Sequence, residues 1–323
     1  MSESPTCLQE NSSVLASAVS AGSDLQAVIS QLFVYPVKSC AGVAVDEAIL
    51  TETGLEFDRA WMVVNEQQVG LTQRELPRMA LIRPQLRFHD MVLRAPGMLA
   101  LHIALDQVEA AARVSVSGKM VSAYDMGPIA AQWFSDFLRV KARLVRFDPE
   151  EKRPSELDWT GGVEALNQFS DGYPLLVTSE ASLTCLNDKL VAVGADPVAM
   201  ARFRPNVVLS NASAAGSRAD EASVSPALMA PHDEDRLDEL QVSTPQGLVR
   251  LRPVKPCPRC PIVNIDPLTA ASSPEVNDML QTYRQDPRLQ GAPSFGMNVI
   301  VVSGVDHLLK VGQPVNANYR FDD

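Results

Sequence analysis

The chain has 323 residues, 46% hydrophobic and 21% charged, with a formal net charge of −11. That length exceeds one ordinary core, so two domains are expected. The acidic balance excludes a general nucleic-acid surface, which needs a basic footprint, and opposes broad attraction to anionic membranes.

Residues 1–27 are rich in Ser and Ala and have no basic segment leading into an apolar run, so they read as a disordered tail rather than a secretory signal. No stretch reaches the roughly 18 apolar residues of a membrane span. Residues 28–36, with β-branched and aromatic content ending at Pro36, predict a strand, and 59–65 another. Residues 98–105 and 112–117 add short strands. Ile129, Trp133, Phe134, Phe137 and Leu138 recur at helical spacing and predict an amphipathic helix over 129–139. The polar stretch 148–154, with Pro149 and Pro154, marks a boundary. The expected division is therefore a tail over 1–27, a first domain over 28–150 and a second over 151–323.

Beyond the boundary, Pro174 to Thr178 is an apolar run, and Ser179 caps a helix through Leu183, Leu186 and Leu190. A short helix is expected over 196–203 and a buried strand over 206–210. Residues 211–236 are polar, Ala-rich and acidic, and read as a loop or insertion whose charge run is a solvated face. Strands at 239–243 and 248–252 lead into Lys255-Pro256-Cys257-Pro258-Arg259-Cys260. Ser273-Pro274 starts a helix with Pro at its first position, and 299–303 is strand-like.

The five cysteines are Cys7, Cys40, Cys185, Cys257 and Cys260. An odd number in a long chain argues for a reducing, cytoplasmic setting rather than a disulfide framework. Cys257 and Cys260 lie beside Lys255 and Arg259, whose charge favours a thiolate. The pair reads as a metal site, a redox dithiol or two inert thiols. A self-contained zinc or iron–sulfur site lacks a second ligand pair, because His89, His102, His232 and His307 stand singly. A thioredoxin-like motif would open a helix, whereas Pro261-Ile262-Val263 favours an extended strand. One cysteine can still bind a metal if a large anionic cofactor brings the other ligands. Lys38 and Ser39 after the first strand, Arg59 before the second, and Arg204 with Asn206 at the buried strand are candidates to hold such a group. Taken alone, each of Lys38, Arg59 and Arg204 reads first as an ordinary solvent-facing charge.

These pieces in this order resemble one family. Tyr35-Pro36-Val37-Lys38-Ser39-Cys40, Gly54-Leu55 through Asp58-Arg59-Ala60-Trp61, and Thr72-Gln73-Arg74 resemble the β-barrel N-terminal domain that accompanies MOSC domains. Ser179-Glu180-Ala181-Ser182-Leu183, Arg202-Phe203-Arg204-Pro205-Asn206, and Cys257-Pro258-Arg259-Cys260 with Asp266-Pro267 resemble the MOSC domain itself. The resemblance runs from about residue 29 to about residue 320 and is nearest to the amidoxime-reducing components.

The resemblance implies a β-rich α+β fold: an N-terminal MOSC-type β-barrel domain and a C-terminal MOSC domain, a distorted barrel with flanking helices. It implies a molybdenum cofactor of the molybdopterin type, with Cys260 as metal ligand and catalytic residue. Lys38, Ser39, Arg59, Asp171, Arg204 and Asn206 match positions that hold the pterin and its phosphate. The implied activity is reduction of N-hydroxylated small molecules such as amidoximes and hydroxylamines. Electrons would come from a separate cytochrome b5-like or ferredoxin-like protein and its reductase, since no nicotinamide fingerprint or iron–sulfur motif is present. A cofactor carrier or sulfur-transfer protein is the alternative, and the lack of a pyridoxal phosphate domain weakens the sulfurase form. Pro258 between the cysteines, Asn298 in place of a Tyr, and the insertion-like residues 211–230 depart from the family pattern.

Overall fold

Alternating burial makes the first strand a barrel stave. In Leu25–Val34, the side chains of Leu25, Ala27, Ile29, Leu32 and Val34 point into one core, with a register shift between Ile29 and Gln31. A computed structural model describes residues 22–211 and 228–320. In it, Leu25–Val34 pairs antiparallel with Pro314–Tyr319 on one side and Val207–Asn211 on the other. These contacts close a seven-stranded barrel that continues through Leu175–Ser179, Ser294–Ser303, Gly247–Pro258 and Leu237–Thr244. Closure pairs each of the seven staves on both sides, and Val43–Val45 adds a short eighth strand to Leu25–Val34. The pair Leu175–Ser179 and Val207–Asn211 is parallel, and the helix Glu180–Ala192 makes the crossover it requires. Ser179 caps that helix as predicted, accepting from the Ser182 amide at 3.1 Å.

A second core forms around Trp61, Phe134, Phe137 and Leu144. Its sheets are Trp61–Val64, Arg143–Phe147, Lys119–Asp125 and Ala111–Val116 in one, and Arg83–Leu86, Asp90–Arg94 and Leu101–Ala104 in the other. The helix Gly127–Leu138 covers this core with Trp133, Phe134, Phe137 and Leu138, and it ends where Arg139 turns left-handed at φ 62°. The fold is β-rich with few helices, as expected.

Several boundaries differ from the sequence reading. Leu25, Gln26 and Ala27, assigned to the tail, are strand, because the barrel needs them to pair with residues 315–317. Residues 1–21 of that tail, and most of the 211–236 segment, lie outside the described residues. The division at residue 150 does not separate two sheets, since the first strand belongs to the barrel completed by the last. The 196–203 helix is only a 3-10 turn at Met200–Arg202. Residues Pro261–Asn264 form a 3-10 turn rather than an extended strand; Pro261 suits a first turn because its missing N–H would be unpaired there. The long strand Gly247–Pro258 instead carries Cys257 and ends before Cys260. Pro274 precedes the helix Glu275–Tyr283 as its cap rather than occupying its first position. Gly296 takes φ 75°, and a Cβ there would lie 2.6 Å from the Val177 carbonyl, so only glycine lets these two strands close beside the cysteines.

Candidate functional site

The two cores meet at a pocket that draws residues from both halves of the chain. Lys38, Ser39, Arg59, Asp171, Arg204, Asn206 and Cys260 all line it. Those are the seven residues singled out from the sequence, and the fold brings every one of them to one place.

Each is set by local backbone. The Lys38 amide donates to the Trp61 carbonyl at 2.7 Å, Ser39 turns at φ 65°, and buried Cys40 anchors the end of the turn. Arg59 (φ 51°) and Arg204 (φ 56°) also sit in left-handed conformations, uncommon for non-glycine residues. Outliers of this kind cluster at functional sites, where surrounding contacts hold them. The Arg59 backbone N–H donates to the Tyr35 carbonyl at 2.8 Å, and its guanidinium donates to the Asp58 carboxylate and to Asn206 Oδ1 at 3.1 Å. Arg204 Nη1 donates to the Cys40 carbonyl at 2.7 Å. Neither cation is the ordinary surface charge that each could have been alone.

Lys38 is 8% exposed, and its Nζ donates to the Phe169 carbonyl at 2.8 Å and to Asp171 Oδ1 at 2.5 Å. Burial pushes the Lys38 ammonium below its ordinary range against the pull of Asp171. The ammonium in turn holds the Asp171 carboxyl well below the usual carboxylate range. The Asp171 side chain is 86% exposed, so this pair adds little to stability and more to placing Lys38.

Asn206 is 1% exposed, and its polar atoms are spent within the protein. Its Oδ1 accepts from the Leu176 amide and Arg59, while Nδ2 donates to the Phe33 carbonyl at 3.2 Å. It orients Arg59 at the pocket wall.

The two cysteines differ. Arg259 Nη1 donates to Cys257 Sγ at 3.0 Å, yet burial outweighs that charge and raises the Cys257 thiol above its ordinary range. The expectation of a favoured thiolate fails at Cys257 for that reason. Lys255 does not reach it either, being drawn to Glu156 at 2.9 Å and over the Trp159 ring. Cys260 precedes the 3-10 turn, and its Sγ makes no hydrogen bond among the described residues. It is the thiol left available to a ligand.

Sequence reasoning missed Arg153, read only as part of a boundary. It is 5% exposed and gathers Asn167 Oδ1 and the carbonyls of Gln168, Ser170 and Asp171. That clasp shapes the loop that presents the Phe169 carbonyl and Asp171 to Lys38. A cation in a Pro-flanked polar stretch carries no sequence signal of burial. Arg259 was read only as a neighbour of the thiols; it is 9% exposed, fixed to the Phe203 carbonyl at 2.9 Å, and lines the pocket.

The pocket has five cationic side chains, Lys38, Arg59, Arg74, Arg204 and Arg259, against the single carboxylate of Asp171. In a chain of net charge −11, that concentration marks an anion site. Thr72 Oγ1 and Arg259 Nε, on residues that line the pocket, are buried without a partner. Buried polar groups are rarely left so, and a ligand bearing acceptors would satisfy both. The donor set of one free thiol, several guanidiniums and an ammonium fits a large anionic group with a soft metal.

Comparison with known proteins agrees with the fold. The MOSC N-terminal beta barrel domain matches residues 26–141, and the MOSC domain matches residues 165–316. Mitochondrial amidoxime reducing component 2 of Rattus norvegicus is 33% identical, over 91% of this chain and 83% of that protein. Mitochondrial amidoxime-reducing component 1 of Homo sapiens is 33% identical, over 89% of this chain and 82% of that protein. Molybdenum cofactor sulfurase of Bos taurus is 28% identical, over 87% of this chain and 31% of that protein. The chain belongs to the MOSC family, with a MOSC N-terminal β-barrel domain followed by a MOSC domain.

Proposed function

We propose that this chain is a molybdenum-cofactor-dependent oxidoreductase that reduces N-hydroxylated small molecules, amidoximes and hydroxylamines among them. The observation that carries the reading is the junction pocket, where the free thiol of Cys260 faces a cluster of cations drawn from both halves of the chain. The names of the two amidoxime-reducing relatives support it.

Cys260 would be the protein ligand of the metal. Arg59, Arg204 and Arg259 would hold the phosphate and pterin through charge-assisted donors, with Lys38 and Ser39 at the same wall and Asn206 fixing Arg59. When bound, the cofactor supplies a redox-active metal able to exchange two electrons with a substrate that loses an oxygen. The chain's own contribution is placement: Asp171 and the Phe169 carbonyl aim Lys38, and Arg153 fixes the loop that carries both. The overall change takes up two electrons and two protons, converts an N-hydroxyl group to N–H and releases water. The electrons would arrive from a separate cytochrome b5-like or ferredoxin-like protein and its reductase. The described cysteines, Cys40, Cys185, Cys257 and Cys260, are all unpaired, which suits a reducing compartment, and we place the protein in the cytoplasm. Among the described residues no helix is long and apolar enough to cross a membrane.

Similarity to the bovine sulfurase favours a second reading, a cofactor carrier or sulfur-transfer protein. One experiment separates them. The protein is purified from cells supplied with molybdate, its molybdenum is measured, and benzamidoxime is offered with a reduced viologen dye. Bound metal with formation of benzamidine supports the reductase. Bound metal without turnover, but with transfer to a cofactor-free acceptor enzyme, supports the carrier. Absence of molybdenum overturns both.

A further inference from the structure

A second cavity of about 450 Å³ opens beside the junction pocket, within the size range of small-molecule sites. The wall bearing Cys257, Arg259 and Cys260 is common to both, so a molecule in the second cavity reaches the same thiol.

Five cations line this cavity: Arg74, Lys119, Arg153, Lys255 and Arg259. Three are already committed. Arg153 is spent on Asn167 and three backbone carbonyls, and Arg259 on Cys257 and the Phe203 carbonyl. Lys255 is paired with Glu156 and lies 4.9 Å from the centroid of the Trp159 ring. The two carboxylates of the cavity, Glu156 and Asp171, are matched by Lys255 and Lys38. Arg74 and Lys119 are left exposed, with no side-chain hydrogen bond or ion pair among the described residues. Two cations with unspent donors therefore remain at the cavity, Arg74 within electrostatic reach of Asp171 and Lys119 of Glu156.

Their placement is built into the backbone. Ser117 (φ 50°) and Gly118 (φ 78°) make the tight hairpin turn that sets Lys119 opposite Val116. That hairpin is stitched to the segment leading to Arg74: the Ser115 amide donates to the Gln68 carbonyl at 2.8 Å, and the Gly70 amide donates to the Ser115 carbonyl at 3.0 Å. Both cations come from one half of the chain and face a cavity whose thiol comes from the other.

We propose that Lys119 and Arg74 form an anion subsite that selects N-hydroxylated substrates carrying a carboxylate as a second functional group. The proposal rests on the reductase reading of the same site. A carboxylate held there gains charge-assisted bonds that a neutral ring lacks.

The test has two arms on the cofactor-loaded protein. In the first, kcat/KM is compared for 4-carboxybenzamidoxime and benzamidoxime with reduced viologen as donor. In the second, binding of the product analogues 4-carboxybenzamidine and benzamidine is measured by calorimetry. The carboxylated member of each pair is expected to win by about tenfold, and Lys119→Gln should reduce that ratio toward one. Lys310→Gln, which removes a cation paired with Glu47 elsewhere, should leave the ratio intact. Equal binding of the two amidines, or an unchanged ratio in Lys119→Gln, overturns the subsite. If neither amidoxime is reduced while the carboxylated amidine still binds more tightly through Lys119, the reductase reading fails and the anion subsite stands.

Discussion

Arg59 Nη2 donates to the backbone carbonyl of Arg204 at 3.1 Å, joining two cations 145 residues apart. Both guanidinium carbons then sit 4.3 Å from the centroid of the Tyr35 ring. The like charges are held together by a shared aromatic platform and by carbonyl and carboxylate acceptors. Tyr35 itself is 1% exposed, and its hydroxyl has no partner.

That platform separates ring from hydroxyl. Tyr35→Phe removes an unsatisfied buried group and should leave stability equal or slightly higher, with cofactor content unchanged. Tyr35→Leu removes the π face from both arginines, each contact being worth about 0.5–2 kcal/mol, and should lower bound pterin. Thermal melts and pterin fluorescence on the two variants check this. Loss of pterin in the Phe variant would show that the hydroxyl matters.

Arg204→Ala should lower cofactor occupancy about tenfold or more, since one charge-assisted bond is worth about 1.5–3 kcal/mol. As a strand-edge cation it would be dispensable for folding. The bond to the Cys40 carbonyl changes that expectation: losing this donor should cost roughly 1–3 kcal/mol in the apo-protein. Urea unfolding of apo-protein and pterin assay of loaded protein measure the two effects separately. Full occupancy in the variant would remove Arg204 from the binding set.

Cys260→Ala should abolish turnover and remove one metal–sulfur distance from the X-ray absorption spectrum. Cys257→Ala should be milder, because burial already disfavours its thiolate and its contact is with Arg259. An unchanged sulfur shell in the Cys260 variant would reassign the ligand.

Arg153→Met keeps much of the volume but removes the donors that gather residues 167–171. Three carbonyls and the Asn167 side chain lose a partner, so a cost of about 2–4 kcal/mol in unfolding free energy is expected. Hydrogen exchange should rise first in that loop. A variant as stable as the parent would mean that the loop holds its shape without the clasp.

Glu234 gives a pH dependence with a definite sign. It is 1% exposed, accepts from Ser179 and Ser182, and burial with help from Asp235 raises its pKa from the ordinary 4.5 to about 7. Below pH 4.5 the carboxyl is protonated in both folded and unfolded chains, so its full contribution is present. Between 4.5 and about 7 the unfolded chain ionises first, and stability is lost as pH rises. The loss approaches about 3 kcal/mol by pH 8. Glu234→Gln should therefore gain on the parent between pH 5 and pH 8 in chemical unfolding. A constant difference between the two across that range would show an ordinary carboxylate.

Local sequence marked some of the strands, 206–210, 239–243 and 248–252 among them, the amphipathic helix expected over 129–139, the helix capped by Ser179, and the candidate residues that the fold gathers at one pocket, but not the strands Arg83–Leu86, Asp90–Arg94, Lys119–Asp125, Arg143–Phe147 and Pro314–Tyr319. The marked features are local: β-branched runs, a helical repeat of aromatics, a Ser cap, and motifs of a few residues. Tertiary structure decided what depends on contacts far apart in sequence. No local pattern says that Leu25–Val34 closes a barrel with Val207–Asn211 and Pro314–Tyr319, because closure is set by partners nearly 200 and 300 residues away. The roles of the cations were settled in the same way. Lys255 precedes the cysteines and Arg259 lies between them, but Glu156 and Trp159 capture the first, while the second is shared between Cys257 Sγ and the Phe203 carbonyl. Arg153 looks like a linker charge until the fold surrounds it with carbonyls. Burial is a property of the folded whole, and it decides whether a charge is solvated, paired or free to hold a ligand.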